Sequence, residues 1–429
     1  MKTSRKVLLG CLCTVLATGL IFANGSKDSG SKSGKTVVKA LAYGDNSNAE
    51  GQSWKRIVQA FETANPDIVI DDEMLYDEAY HQKVTARLAS GDVPDIAYMG
   101  ADARWGKPWQ EAGQQIDMRP YLDQNKYDMK LIPAMGPNGE VYYLPLGTSN
   151  MCTVVFENRD LLKKLGLTEP KTYDDWVKMV PVARANSIEV VSTHGADGWA
   201  WGSCVMSAFI ARTSGDAKWI EKAVKGQKKF TDPEFVSALT ILTTMVKDGV
   251  LSQKTIQIDS GAGLSDYSNG KCLFYVTGQW DAGNITPEAQ SATKLIAFPK
   301  MPGETGNTGS VAAAWQVGYG ITKKGVADEK IRNAAIKFLD FFNSEQEVTQ
   351  RLRDGAIVAP VLKNYKVPAD MPAIISEKVS LGTTAPTTDV IDSYLSGKAN
   401  DALLAGCQQI VAGTKTAAQV ATEIQAQMK

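Results

Sequence analysis

The side chains best suited to hold a small molecule in this 429-residue chain are tryptophans that stand beside acids and amides in turn-rich segments. Trp199 and Trp201 lie two apart in Asp197-Gly198-Trp199-Ala200-Trp201-Gly202. Trp280 and Asp281 follow Gly278, Trp315 precedes Gln316, Trp105 closes Asp102-Ala103-Arg104-Trp105, and Tyr43 leads into Gly44 and Asp45. With Trp109 added, six of the nine tryptophans fall in such segments, a bias that favours a stacking ligand over a purely structural use. Flat apolar faces beside carboxylates, amides and a guanidinium are what a carbohydrate needs, since its C–H patches lie against rings and its rim hydroxyls bond polar groups. Thr148 and Asn150 add a hydroxyl and an amide. The structural reading stands beside this one: a strand-end tryptophan often lids a core, most of all Trp105 and Trp109, and Asp102 can cap a helix.

Catalytic chemistry has little to work with. The only histidines, His81 and His194, are far apart in sequence and have no cysteine or acid cluster at metal-ligand spacing, so no metal and no cofactor are expected. There is no G-x-S-x-G elbow and no P-loop, and Gly318-Tyr319-Gly320 lacks the third glycine of a dinucleotide fingerprint. The enzyme class that survives is a glycoside hydrolase using two carboxylates such as Asp102 and Asp281. Past the leader, Cys152, Cys204, Cys272 and Cys407 show no C-x-x-C pattern, and buried or isolated thiols are the expected state, with disulfides left open.

The elements that must position these residues read as α/β. A β-rich run at Thr36 to Ala42, a helix with Trp54, Ile57, Val58 and Phe61 on one face ending before Pro66, a strand at 68–75, a helix carrying Tyr80, Val84 and Leu88, and a strand at 96–99 make a βαβαβ unit. Ligands of such sheets bind beyond the strands' carboxyl ends, which aims the loops 43–45 and 100–105 at a cleft. Glu78 and Tyr80 are expected at the surface. Further strands are expected at 187–191, 271–276, 295–298 and 317–321, with 312–316 as a separating loop. Helices are expected at 172–185, 232–248, 328–342 and 345–353, then from Asp389 onwards. Asp174 and Asp175 sit where a helix's first turn has free N–H groups, so they read as structural.

The stretch Asn138 to Leu167 joins two domains. Asn138-Gly139 is a turn, Val141 to Leu146 a strand interrupted by Pro145, Gly147 to Asn150 a small polar link, Cys152 to Phe156 a second strand, and Asn158 the cap of a helix that stops at Gly166. With Thr172-Tyr173-Asp174-Asp175-Trp176 it resembles the crossover of the family 1 extracellular solute-binding proteins of bacterial ABC importers, the group that includes maltose-binding protein. Ala89 to Ile96, Asn269-Gly270-Lys271 through Gly278-Gln279-Trp280, and Ala335-Phe338-Leu339-Phe342 resemble three further blocks of that family in the same order, together covering roughly residues 36 to 425. The resemblance implies a two-lobed periplasmic-binding-protein fold of type II with a mixed sheet in each lobe, a cleft between them, and Trp280 as a stacking ring. It also implies several crossings, placed near 147–150, 292–295 and 343–347. The chain departs from the family where the crossover lacks a carboxylate and where Ala103 separates Asp102 from Arg104, which puts a maltodextrin ligand in doubt.

Residues 1–23 read as a signal peptide, with Lys2, Arg5 and Lys6 ahead of an apolar run. Residues 24–35 read as a flexible tether. Residues 36–148 plus about 296–344 then form an N-terminal lobe, and 149–295 plus about 345–429 a C-terminal lobe. The formal net charge of -1 falls to -4 once the three basic leader residues are gone, which argues against nucleic acid. The expectation is therefore an exported periplasmic monomer, either free or membrane-anchored, that binds a mono- or oligosaccharide and hands it to an ABC permease. Two other readings are a non-sugar solute (polyol, phosphodiester or peptide) and a sensor for a chemoreceptor. One arginine in the candidate loops speaks against a phosphate ligand.

Overall fold

Val38, Ala40, Leu41 and Ala42 are all buried, as a strand covered by helices on both faces requires. They lie in a computed structural model that describes residues 34–428, so the signal peptide 1–23 and nearly all of the tether 24–35 lie outside the described residues. In chain order the strands are β1 Thr36–Tyr43, β2 Ile68–Leu75, β3 Ile96–Met99, β4 Leu144–Pro145, β5 Asn150–Met151, β6 Val154–Asn158, β7 Glu189–Thr193, β8 Cys272–Thr277, β9 Thr293–Ile296, β10 Val311–Ala314, β11 Gly318–Ile321 and β12 Thr387–Thr388. The first sheet has the order β2-β1-β3-β11-β4. β1 pairs in parallel with β2 and β3, while β11 returns antiparallel between β3 and β4.

The βαβαβ unit forms as its periodicity dictates. Helix α1 (Ala49–Ala64) starts at Asn48, whose side chain accepts the Gly51 N–H, and it buries Trp54, Ile57 and Phe61. Helix α2 (Asp77–Ser90) ends at Gly91, held at φ 73°. Tyr80 is a correction: it is 1% exposed, and its hydroxyl donates to the Tyr98 carbonyl, because the helix face shared with Val84 points at the sheet.

The second sheet has the order β7-β8-β6-β9, with β7 parallel to β8 and β6 antiparallel to both neighbours. One face carries Val155, Phe274 and Val276 into a core with Trp176, Phe209 and Leu242. The other presents Phe156, Tyr267 and Tyr275. Asn158 caps the helix Arg159–Lys164, and Thr172 with Asp175 forms a capping box on Tyr173–Ala185, the structural role expected of the acids there.

A short sheet, β12-β10-β5, lies where the chain passes between the lobes. The segment 312–316, expected as a loop, supplies β10 because its backbone pairs with the crossover strand β5. Phe298 and Met301 pack in the same core as Trp176, Phe209 and Leu242. Val348 and Leu352, from the helix Glu345–Arg353, are buried, and Glu347 pairs with Arg56 of α1. The helix Ala373–Thr384 lies along β9, where Glu377 accepts the Leu295 N–H. The strand expected over 141–146 shortens to β4, since β11 pairs only Tyr319 with Leu144 and Gly318 with Pro145.

Candidate functional site

The ends of β1 and β3 deliver an aromatic wall. Tyr43 and Tyr98 stack at 4.9 Å and 11°. Trp105 stands edge-on to Tyr43 at 5.2 Å, and Tyr76, from the end of β2, tilts against Tyr43 at 5.2 Å. The opposite lobe contributes Trp199 and Trp280, whose rings meet at 5.7 Å and 50°. Gly278 makes that possible, because a Cβ there would come within 2.1 Å of the Trp280 ring. Both walls line one cavity that encloses about 970 Å³, counting the part open to solvent.

Polar groups converge on the same space. Asn48 and Gln316 both line it. The Asn48 Oδ1 is spent capping α1, and its Nδ2 has no partner. Gln316 is 2% exposed; its Nε2 donates to the Ala356 carbonyl at 3.1 Å, while its Oε1 is unpartnered. One free donor and one free acceptor, both buried, are a standing cost that a hydroxyl-bearing ligand removes. Asn150 lines the cavity too, its Oδ1 accepting from Gln279 Nε2 at 3.3 Å. Asp392, also in the wall, accepts from the Ser203 hydroxyl at 2.6 Å.

The wall is acidic. Burial pushes the Glu50 carboxyl up to about 8 against the pull of Lys378, and burial also raises Asp77. Burial takes Asp102 up to about 7, opposed by the N–H groups of Trp105 and Arg104 that its Oδ1 accepts at 2.6 and 3.1 Å. Arg104 is already engaged, donating to Glu78 at 2.6 Å and from Nε to His81 at 3.2 Å. Burial, followed by that guanidinium, holds His81 near 3, so its ring is the neutral acceptor the bond requires. Asp77 sits at φ 52°, a strained position for a residue with a Cβ, at the cleft where α2 begins.

Of the residues expected from sequence, the cavity brings together Tyr43, Asp102, Arg104, Trp105, Asn150, Trp199, Trp280, Trp315 and Gln316. Four expectations are corrected. Trp201 is fully buried in the second core, its Nε1 donating to the Gly195 carbonyl at 2.9 Å, because 195–206 forms helical turns and not an open loop. Asp45 accepts the N–H groups of Ser47 and Asn48 and shapes the turn into α1. Asp281 is buried, accepting from Thr277 and Asn284, and does not line the cavity beside Asp102. Thr148 lines a neighbouring groove instead. Sequence reasoning missed Asn48, Glu50, Tyr76, Asp77, Asn284 and Asp392. The strand-end rule applied to β2 would have found Tyr76 and Asp77, but nothing local marks Asp392. Among the described residues no group of three metal-ligating side chains comes together, and all four cysteines are buried free thiols.

Contacts across the cleft bind the lobes to each other. Ala49 N–H donates to Asn284 Oδ1 at 3.3 Å, Ala103 N–H to the Ser393 carbonyl at 3.1 Å, and Arg104 faces Asp392 at 3.9 Å. This is a closed arrangement around the cavity.

The model of the bacterial extracellular solute-binding protein family matches residues 44–349. A multiple sugar-binding protein of Streptococcus mutans is 26% identical over 365 residues, covering 84% of this chain and 83% of its own. Among solved structures, a chitin oligosaccharide binding protein superposes with a TM-score of 0.78 at 20% identity, covering 91% of this chain and 98% of its own. A sugar transporter from Bacillus licheniformis in complex with stachyose gives 0.68 at 18%, with 91% and 98% covered.

Proposed function

This chain belongs to the bacterial extracellular solute-binding protein family, and we propose that it is the sugar-capturing component of an ABC importer, closing two lobes on a mono- or oligosaccharide and presenting it to a membrane permease. The observation that carries the reading is the convergence, in one cavity, of rings from both lobes with the unpaired Asn48 donor and Gln316 acceptor. Rings suit the C–H faces of a sugar, and paired amides and carboxylates suit its hydroxyls. The sugar ligands named for the Streptococcus and Bacillus relatives support the same class. Closure is driven by the ligand's greater affinity for the closed form, so the permease meets a loaded protein. The family is extracellular, which fits an exported protein; residues 1–23 serve export, the protein acts as a periplasmic monomer, and the ligand leaves unchanged.

Calorimetric titration of the protein lacking residues 1–23 with neutral mono- and oligosaccharides, polyols and short peptides tests this. Saturable binding of a saccharide, recovered intact, is expected. Binding confined to a peptide or a non-sugar solute would overturn the carbohydrate assignment while leaving the family in place.

A further inference from the structure

Trp315 is 51% exposed and joins none of the aromatic pairs among the described residues. It is nonetheless held firmly, because the β10 residues before it pair with the crossover strand, Ala313 with Met151 and Ala314 with Asn150. Its position explains why an indole is left uncovered. The inner cavity and a second, outer groove of about 1,640 Å³, counting the part open to solvent, share Asp102, Ala314, Trp315, Val390 and Ser393 as common wall. Trp315 therefore stands at their junction.

The outer groove has its own polar equipment. Thr388 lines it at 4% exposure, and its Oγ1 has no partner. Thr148 and Ser149 line it as well, and Lys218 and Asp389 face each other there at 2.9 Å. A buried hydroxyl without a partner carries the desolvation cost of any orphaned polar group unless something bonds it.

We infer that the ligand is an oligosaccharide of at least two units, its first unit in the inner cavity and its next over Trp315 in the outer groove within reach of Thr388. This rests on the carbohydrate reading and narrows it to chain length. The shared wall selects the occupant, since a ligand longer than one unit that leaves the inner cavity at Trp315 passes the indole face. A monosaccharide would leave Trp315 bare and Thr388 unpaired.

The test is calorimetry on the protein with malto-, cello-, xylo- and chito-oligosaccharides of one to five units, for wild type, Trp315→Ala and Thr388→Val. In the series that binds, affinity should rise at least tenfold from one unit to three. Trp315→Ala should abolish that increment, costing the three-unit ligand at least tenfold more than the single unit, and Thr388→Val should weaken the longer ligands more than the single unit. Equal affinity for one and three units overturns the inference while the carbohydrate reading stands. So does a Trp315→Ala loss that is the same at every length. Absence of binding in all four series, beside binding of another solute class, overturns both.

Discussion

Trp199 and Trp201 show how much two residue positions can matter. Both sit in a segment rich in glycine, and only the first reaches the cavity. The other fills the second core against Gly195, where an added Cβ would meet the Trp201 ring at 2.5 Å. Truncating each tests different physics. Trp201→Ala leaves a large void and is expected to cost about 3–5 kcal/mol of stability. Trp315→Ala, at an exposed site, should stay within about 0.5 kcal/mol. Urea denaturation followed by circular dichroism separates the two outcomes, and a Trp201→Ala protein as stable as wild type would remove that ring from the core. The tryptophan bias was legible in the sequence because glycine and polar neighbours mark segments near a surface. What it does not encode is the local winding: the helical turns from 195 to 206 turn one ring in and leave the other at the cleft.

At the scale of elements, the sequence carried the βαβαβ unit, the Asn158 cap and the Thr172 capping box, since each depends on residues within a few positions of one another. Which sheet a helix covers is a long-range matter that no local pattern carries. The start of α1 and the helix Ala373–Thr384 illustrate this. Glu50 lies in the first turn of α1 and lines the cavity, and the charge on the other side that pulls on it is Lys378, fully buried and donating to the Gly355 carbonyl. No pattern in the sequence links residues so far apart. Because Glu50 is raised from 4.5 to about 8, the native state holds its proton where the unfolded chain has released it. The unfolded state thus binds fewer protons between those values, and native stability falls as pH rises through them. Burial lowers Lys378, which acts in the opposite sense above neutrality in both proteins compared below. Glu50→Gln removes the carboxyl, so its melting temperature relative to wild type should climb from pH 5 to pH 8. A difference that stays constant over that range would show that Glu50 ionises freely in the fold.

Across the whole molecule, the β12-β10-β5 sheet pairs the crossover strand with β10, while Ala49–Asn284 and Ala103–Ser393 bond the two walls of the cavity to each other. The bonds that close the molecule are few and polar, and a ligand stacked between Trp280 and the Tyr43 wall would add most of the closed form's advantage. Gly278 and Trp280 are where this account is exposed to a single test. Calorimetric titration of wild type and Trp280→Ala with the tightest-binding saccharide should show a loss of about 2 kcal/mol, the level of an interface hot spot, or roughly 30-fold in Kd, with the melting temperature nearly unchanged. Gly278→Ala, which pushes the ring out of place, should weaken binding in the same direction. Unchanged affinity in both variants, with both proteins folded, would contradict a cleft that captures sugar by stacking.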